Sequence, residues 1–280
     1  MNNNRLNRTI LNVNKYIILI FISLIILVPF IWMLSTSLKT FSNIFLFPPQ
    51  WIPSPIAWEN YVTLFQKSPF HLYMFNSFYI AVIVTIGACL FSSLAGYAFA
   101  KIKFPFRNTI FLILLSSMMI PTESTAIPLF IWFSKIGFID THLPLIFPPM
   151  LGAAGMFGVF LFRQFYIALP NELDEAAKID GCNPWMTYWL IILPISTPTF
   201  ATLSIFTVLN TWNEFFEPLI YLNSSKLYTI PLALSLFTTE SGTEWHLIMS
   251  ASVIASLPLL IIFFLAQRKI IEGIAITGLK

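Results

Sequence analysis

The chain has 280 residues, of which 57% are hydrophobic and only 10% charged. One soluble core of this length cannot bury so much apolar surface, so the composition points to a protein lying mostly in lipid, and its long apolar runs to an all-α one. A net charge of +3, spread along the chain, leaves no footprint for nucleic acid, and two cysteines, Cys89 and Cys182, make neither a disulfide framework nor a metal set. His71, His142 and His246 are isolated from one another in the sequence and suit loop or interface positions.

In chain order, residues 1–15 form a polar leader carrying Arg5, Arg8 and Lys15, followed by an apolar run over 16–34. That run is too long for a signal-peptide core and lacks an Ala-x-Ala-like site, so it reads as a retained first span with its amino terminus in the cytoplasm. Residues 39–72 contain Pro48, Pro49, Pro53 and Pro55 among tryptophans and phenylalanines, which predicts an outer loop with short interfacial helices. A second span over 74–91 trails into a small-residue patch, including Ser92, Ser93 and Gly96, before the basic turn of Lys101, Lys103 and Arg107. The third span, 109–133, contains Pro121 and Pro128 with Glu123 between them, a carboxylate suited to an interface or to a lined pathway. The fourth, 143–162, is rich in glycine and alanine and belongs inside a bundle.

A polar segment, 171–194, then interrupts the apolar pattern. Glu172, Asp174 and Glu175 make an acidic first turn, Leu173, Ala176, Ala177 and Ile179 an apolar side, and Gly181 a break before Asn183-Pro184 starts a second helical stretch. The result is a knuckle of two short helices on the water side of a membrane. After it come a fifth span over 196–222, an outer loop over 224–246, and a sixth span over 247–266 that contains Pro258 and ends at a basic tail. Placing both termini and the knuckle in the cytoplasm puts eleven of the fifteen Lys and Arg residues inside, the bias expected of short cytoplasmic loops.

Glu175-Ala176-Ala177, Asp180-Gly181, Ile192 and Leu193-Pro194 resemble the cytoplasmic signature loop of the permease subunits of binding-protein-dependent, ATP-driven importers, in the carbohydrate branch. The strings FLFRQFYIALPNELDEAAKIDG, TWNEFFEPLIYL and QRKIIEGIAITGLK extend the resemblance over nearly the whole chain beyond the leader. Cys182 departs from it, standing where the family more often has a small residue such as Ala. The resemblance implies a six-helix importer transmembrane domain over 16–280, in a bacterial-type cytoplasmic membrane, with a coupling helix. It implies that Glu172, Glu175, Ala176, Ala177, Asp180, Gly181, Leu193 and Pro194 engage an ATPase. It further implies a second permease, two ATPase subunits holding ATP and Mg, an extracytoplasmic sugar-binding protein and a carbohydrate substrate. Ala176 and Ala177 are expected to leave room for close docking, and Gly181 to permit a turn.

The fifth span carries more Ser, Thr, Asn and Glu than a helix facing only lipid can desolvate, which makes Asn210, Asn213, Glu214 and Glu217 candidates for a polar pathway or for bonds to neighbouring helices. A Gly-rich phosphate loop ending in Gly-Lys-Ser or Gly-Lys-Thr is missing from the sequence, as are the HExxH and GxSxG motifs, so no cofactor or catalytic activity is expected of this chain itself. The competing readings are a secondary carrier with interrupted helices and a membrane scaffold that passes no substrate.

Overall fold

The computed structural model describes residues 2–239 and 242–277; Glu240, within the loop read over 224–246, and Lys280, counted among the cytoplasmic basic residues, lie outside that range. The helices are α1 (Asn2–Ser37), α2 (Glu59–Lys67), α3 (Phe70–Lys101), α4 (Arg107–Ser116), α5 (Thr122–Lys135), α6 (Leu143–Leu151) and α7 (Ala153–Ala168). They continue as α8 (Glu172–Ile179), α9 (Pro184–Thr187), α10 (Leu193–Ile195), α11 (Thr197–Asn213), α12 (Phe216–Tyr221), α13 (Ile230–Ser235) and α14 (Trp245–Thr277). The loop before α14 also holds a two-residue antiparallel pairing of β1 (Thr238–Thr239) with β2 (Gly242–Thr243), too short for periodicity to reveal.

Among the described residues, four stretches are long and apolar enough to cross a bilayer: Asn12–Ser37, Phe70–Lys101, Leu143–Ala168 and Trp245–Leu265. Six spans result if each of two bent pairs also counts as one. The third expected span is one of these pairs, its halves meeting at 98° between Met119 and Thr122. Pro121, which has no N–H to donate, sits at the break, and the hydroxyls of Ser116 and Ser117 donate to the carbonyls of Ile113 and Leu114 just before it. The second bend, of 74°, joins the stretch Pro184–Ile195 to α11, so that the knuckle leads directly into the fifth span.

The chain packs as two units. One comprises Met1–Ser68 with Leu236–Ser256. Here α1 exposes its apolar window completely, while the turn after it is tied down: Asn60 donates its amide to the carbonyls of Ser37 and Lys39, both at 2.8 Å, and Ser250 Oγ donates to Ser37 O at 3.1 Å. The buried Lys39 places its ammonium 4.0 Å from the centre of the Trp32 ring, a cation–π contact that closes the end of α1 onto the chain that follows it.

The other unit, Pro69–Ser235 with Leu257–Lys280, is built along α3. At one end its core gathers Ile80, Val84, Phe133, Leu145 and Tyr221; at the other it gathers Tyr97, Phe162, Tyr166, Tyr188 and Ile192. Between these ends α3 and α7 approach closely. A Cβ on Gly96 would stand 2.6 Å from Phe162 Cβ and 3.0 Å from the Arg163 amide nitrogen, and one on Gly158 would meet Ser92 Oγ at 2.4 Å. Ser92 Oγ donates to the Gly155 carbonyl at 3.0 Å, which satisfies the hydroxyl inside this contact. At the first end, Asn76 donates to the carbonyls of Lys226 and Tyr228, the Ile230 amide donates to Ser77 Oγ, and Tyr79 OH donates to His142 Nδ1, whose Nε2–H donates to Leu227 O. Asp140 accepts from Ser224 and the Asn223 amide, which holds its carboxyl below the usual carboxylate range. Gly96→Ala must push backbone as well as side chain aside, so the thermal midpoint of the purified protein is expected to fall by several degrees, at an overpacking cost of about 1–3 kcal/mol. A differential-scanning-fluorimetry melt unchanged by G96A would show that α3 and α7 do not depend on this approach.

Candidate functional site

Residues 171–194 form two short helices around a glycine. The acidic first turn of α8 faces the positive end of its own helix. Gly181 closes that helix at φ +80°, a conformation that L side chains rarely adopt, with no atom within 4 Å of where a Cβ would stand. Asn183 Oδ1 then accepts the Met186 amide at 2.8 Å and caps α9, whose first residue, Pro184, has no N–H that needs an acceptor. Through the π-helical turn Tyr188–Ile192 the backbone passes into α10 and the fifth span.

Three side-chain ties fasten this segment to α3. Lys101 Nζ donates to Asp174 Oδ2 at 2.7 Å, with both side chains largely shielded from solvent, Tyr97 OH donates to the Pro184 carbonyl at 3.1 Å, and Tyr188 OH pairs with Ser93 Oγ at 2.7 Å. Lys101, Lys103, Arg107 and Lys178 border a groove of about 670 Å³ on the same side, together with Asp174 and Glu175. None of the tying residues on α3 stood out in the sequence beyond a small-residue patch and a basic turn; only contact with the knuckle separates them from other residues of their type.

Glu172, Glu175, Ala176 and Ile179 all face outward, a set three and four residues apart that lies on one stripe of α8. Ala177 does not join them. It is fully buried against its own chain, which corrects the expectation that it leaves docking room beside Ala176; Ile179, expected on a shared apolar side, is 87% exposed. The split follows from helical geometry, since positions 173 and 177 share the inner face while 172, 175, 176 and 179 share the outer one. Asp180 and Pro194 are exposed, and Leu193 is half-buried against the cluster around Tyr188.

The polar residues of the fifth span separate into two groups. Asn210, Glu214 and Glu217 line one cavity of about 230 Å³ together with Thr122, Thr211 and Thr229, whereas Asn213 turns its amide back to the Leu209 carbonyl at 2.8 Å. Glu214 is oriented by its own chain, Oε1 accepting the amides of Phe216 and Glu217 at 3.0 and 3.1 Å. Glu123, one residue beyond Thr122, is exposed in the first turn of α5 and does not line the cavity.

A family model described as the binding-protein-dependent transport system inner membrane component matches residues 89–275, a range that contains both the knuckle and the polar cavity. The chain belongs to this family. This permease is 34% identical over 229 residues to the arabinooligosaccharides transport system permease protein AraQ of Halalkalibacterium halodurans, covering 81% of each chain. It is 31% identical over 277 residues to the sn-glycerol-3-phosphate transport system permease protein UgpE of Yersinia enterocolitica, covering 96% of this chain and 97% of the relative. Its fold matches a chain of a bacterial ABC transporter that imports the acidic polysaccharide alginate, with a TM-score of 0.80 over 94% of the permease and 97% of that chain at 18% identity. The all-α importer fold expected from the sequence is therefore present.

The Lys101–Asp174 pair is the tie most readily removed without disturbing the core. Lys101→Ala is expected to raise amide exchange across Glu172–Ile179 by about tenfold, the equivalent of about 1.4 kcal/mol of local opening, and Asp174→Asn to do the same. Exchange mass spectrometry showing an unchanged rate in both variants would mean that Tyr97 and Tyr188 hold the segment by themselves.

Proposed function

We propose that this permease is one of two membrane-spanning subunits of an ATP-driven importer, that it forms a carbohydrate pathway with a second permease, and that residues 171–194 couple this pathway to two ATPase subunits. The observation that carries the reading is the outward stripe of Glu172, Glu175, Ala176 and Ile179 on a helix fastened from behind to α3. An apolar side chain 87% exposed between carboxylates, on a segment with little freedom of its own, suits insertion into a protein cleft. Asp180, Gly181, Leu193 and Pro194 set the position of that stripe, and Ala177 acts from beneath it as packing. In this arrangement ATP and Mg belong to the ATPase partners, and an extracytoplasmic binding protein delivers the sugar. The carbohydrate class is supported by a relative named for arabinooligosaccharides. The leader 1–15, the knuckle and both termini then lie on the cytoplasmic side and the loop 39–72 on the other, and the 16–280 segment forms the permease domain.

Gly181 tests the coupling role without confusion from a clash inside the chain, since a Cβ there meets nothing. Gly181→Val is expected to reduce binding-protein-stimulated ATPase activity and sugar uptake at least tenfold while membrane insertion and co-purification of the second permease and the ATPase persist, because forcing a β-branched residue into this conformation shifts the turn. Normal stimulation in assembled complexes carrying G181V together with Ile179→Asp would return the knuckle to an ordinary surface loop. Uptake by the intact importer that depends on this subunit for amino acids or metal ions, and not for any carbohydrate, would overturn the substrate class.

A further inference from the structure

The cavity beside α12 has a chemical character that the coupling role does not use. Among the described residues its polar lining consists of hydroxyls, one amide and the carboxylates of Glu214 and Glu217, with no Lys, Arg or His. Ile80, Leu145, Pro149 and Pro218 supply apolar wall between these groups. Thr229 adds an independent mark: it is only 5% exposed, it lines the cavity, and its Oγ1 has no hydrogen-bond partner. A buried hydroxyl left unpaired is costly, and a hydrogen-bonding occupant would relieve it.

We propose that this cavity is a subsite for a single neutral, hydroxyl-rich ring, and that Glu214 and Glu217 set its preference for neutral over anionic sugars. The proposal rests on the carbohydrate reading above and narrows it. At about 230 Å³ the space is smaller than the roughly 300–1,000 Å³ that encloses a drug-sized ligand, so it takes one unit of a chain. A sugar ring offers C–H faces to the apolar wall and hydroxyls to both carboxylates and to Thr122, Asn210, Thr211 and Thr229. Carboxylates accept strongly from hydroxyls, and Glu214 is already oriented by two backbone amides, so little ordering remains to be done on binding. The negative charge held by this pair turns away a uronate or a phosphate, since no cation among the described lining residues offsets it. Among its relatives, the permease is thereby aligned with the one named for arabinooligosaccharides and set apart from the one named for sn-glycerol-3-phosphate.

The test reads the cavity directly, without the selectivity of a binding protein. Thr211→Cys is introduced into the full chain, the importer complex is purified through a tag on this subunit, and labelling at position 211 is followed by peptide mass. The reagents are cationic trimethylammonium-ethyl and anionic sulfonatoethyl methanethiosulfonate; Thr122→Cys serves if T211C does not assemble. The cationic reagent should react at least tenfold faster, the ratio should fall toward one in Glu214→Gln/Glu217→Gln, and arabinotriose, maltotriose or lactose should slow labelling where trigalacturonate and glycerol 3-phosphate do not. Glutamine keeps an acceptor for the two amides, so the double variant removes charge and preserves the turn. A labelling ratio near one with both carboxylates present, a ratio indifferent to their removal, protection by the acidic compounds alone, or protection by no sugar would each overturn the subsite. An importer that takes up no carbohydrate at all but keeps the charge ratio would refute the substrate class proposed above and leave the anion-excluding cavity in place.

Discussion

The close approach of α3 to α7 is the contact on which the larger unit depends. Where Gly96 lies against Phe162 and Gly158 against Ser92, neither helix can carry a Cβ without displacing its neighbour. In lipid, the apolar tails of the bilayer are as good a neighbour as leucine, so helices associate through tight packing and satisfied polar groups instead of through expulsion of water. Ser92 meets both needs at once, being small enough for the approach and bonded to the Gly155 carbonyl. The aromatic cluster of Tyr97, Phe162, Tyr166 and Tyr188 can then assemble on one side of this seam.

With that seam in place, α3 becomes a rod about 48 Å long, at 1.5 Å per residue, held by polar ties at both ends. Asn76, Ser77 and Tyr79 fasten one end to the stretch 226–230 and to His142, and Ser93, Tyr97 and Lys101 fasten the other to the knuckle. Between them the helix is unbroken, whereas the third span is bent at 98° and the fifth is entered through a bend of 74°. Stiffness is therefore unevenly distributed in this unit: motion imposed on the knuckle meets a straight element on one side and a bend on the other.

The polar groups follow the same economy of placement. Ser, Thr, Asn and Glu in an apolar helix are expensive unless something receives them. Asn213 is received by its own helix, and Glu214 by the amides that open α12. Glu217, Asn210 and Thr211 converge on one cavity with Thr122 and Thr229 from other segments, while Thr197 and Thr202 donate back to the carbonyls of Pro194 and Pro198.

Composition, proline, glycine and charge act locally, so the residue order already marks the chain as helical and membrane-embedded, shows roughly where its apolar stretches run, and makes 171–194 a helix–glycine–helix element. Gly181 was legible for that reason: only a residue without a Cβ turns easily at that point, and the backbone adopts φ +80° there. The sharp fold of the third span was legible only in part, since Pro121 marks a break without setting its angle. Which faces look inward depends on packing between distant segments. Ala176 and Ala177 are the same residue type in the same turn, yet one is exposed and the other fully buried, because a rotation of about 100° per residue turns them to different surroundings. Likewise Asn210 and Asn213 are both polar residues of one helix, and Lys101 is one of several basic residues near a turn. What separates them is the neighbour each meets, Asp174 across 73 positions for Lys101 and Thr122 and Thr229 around one cavity for Asn210, and distance along the chain hides such neighbours until it is folded.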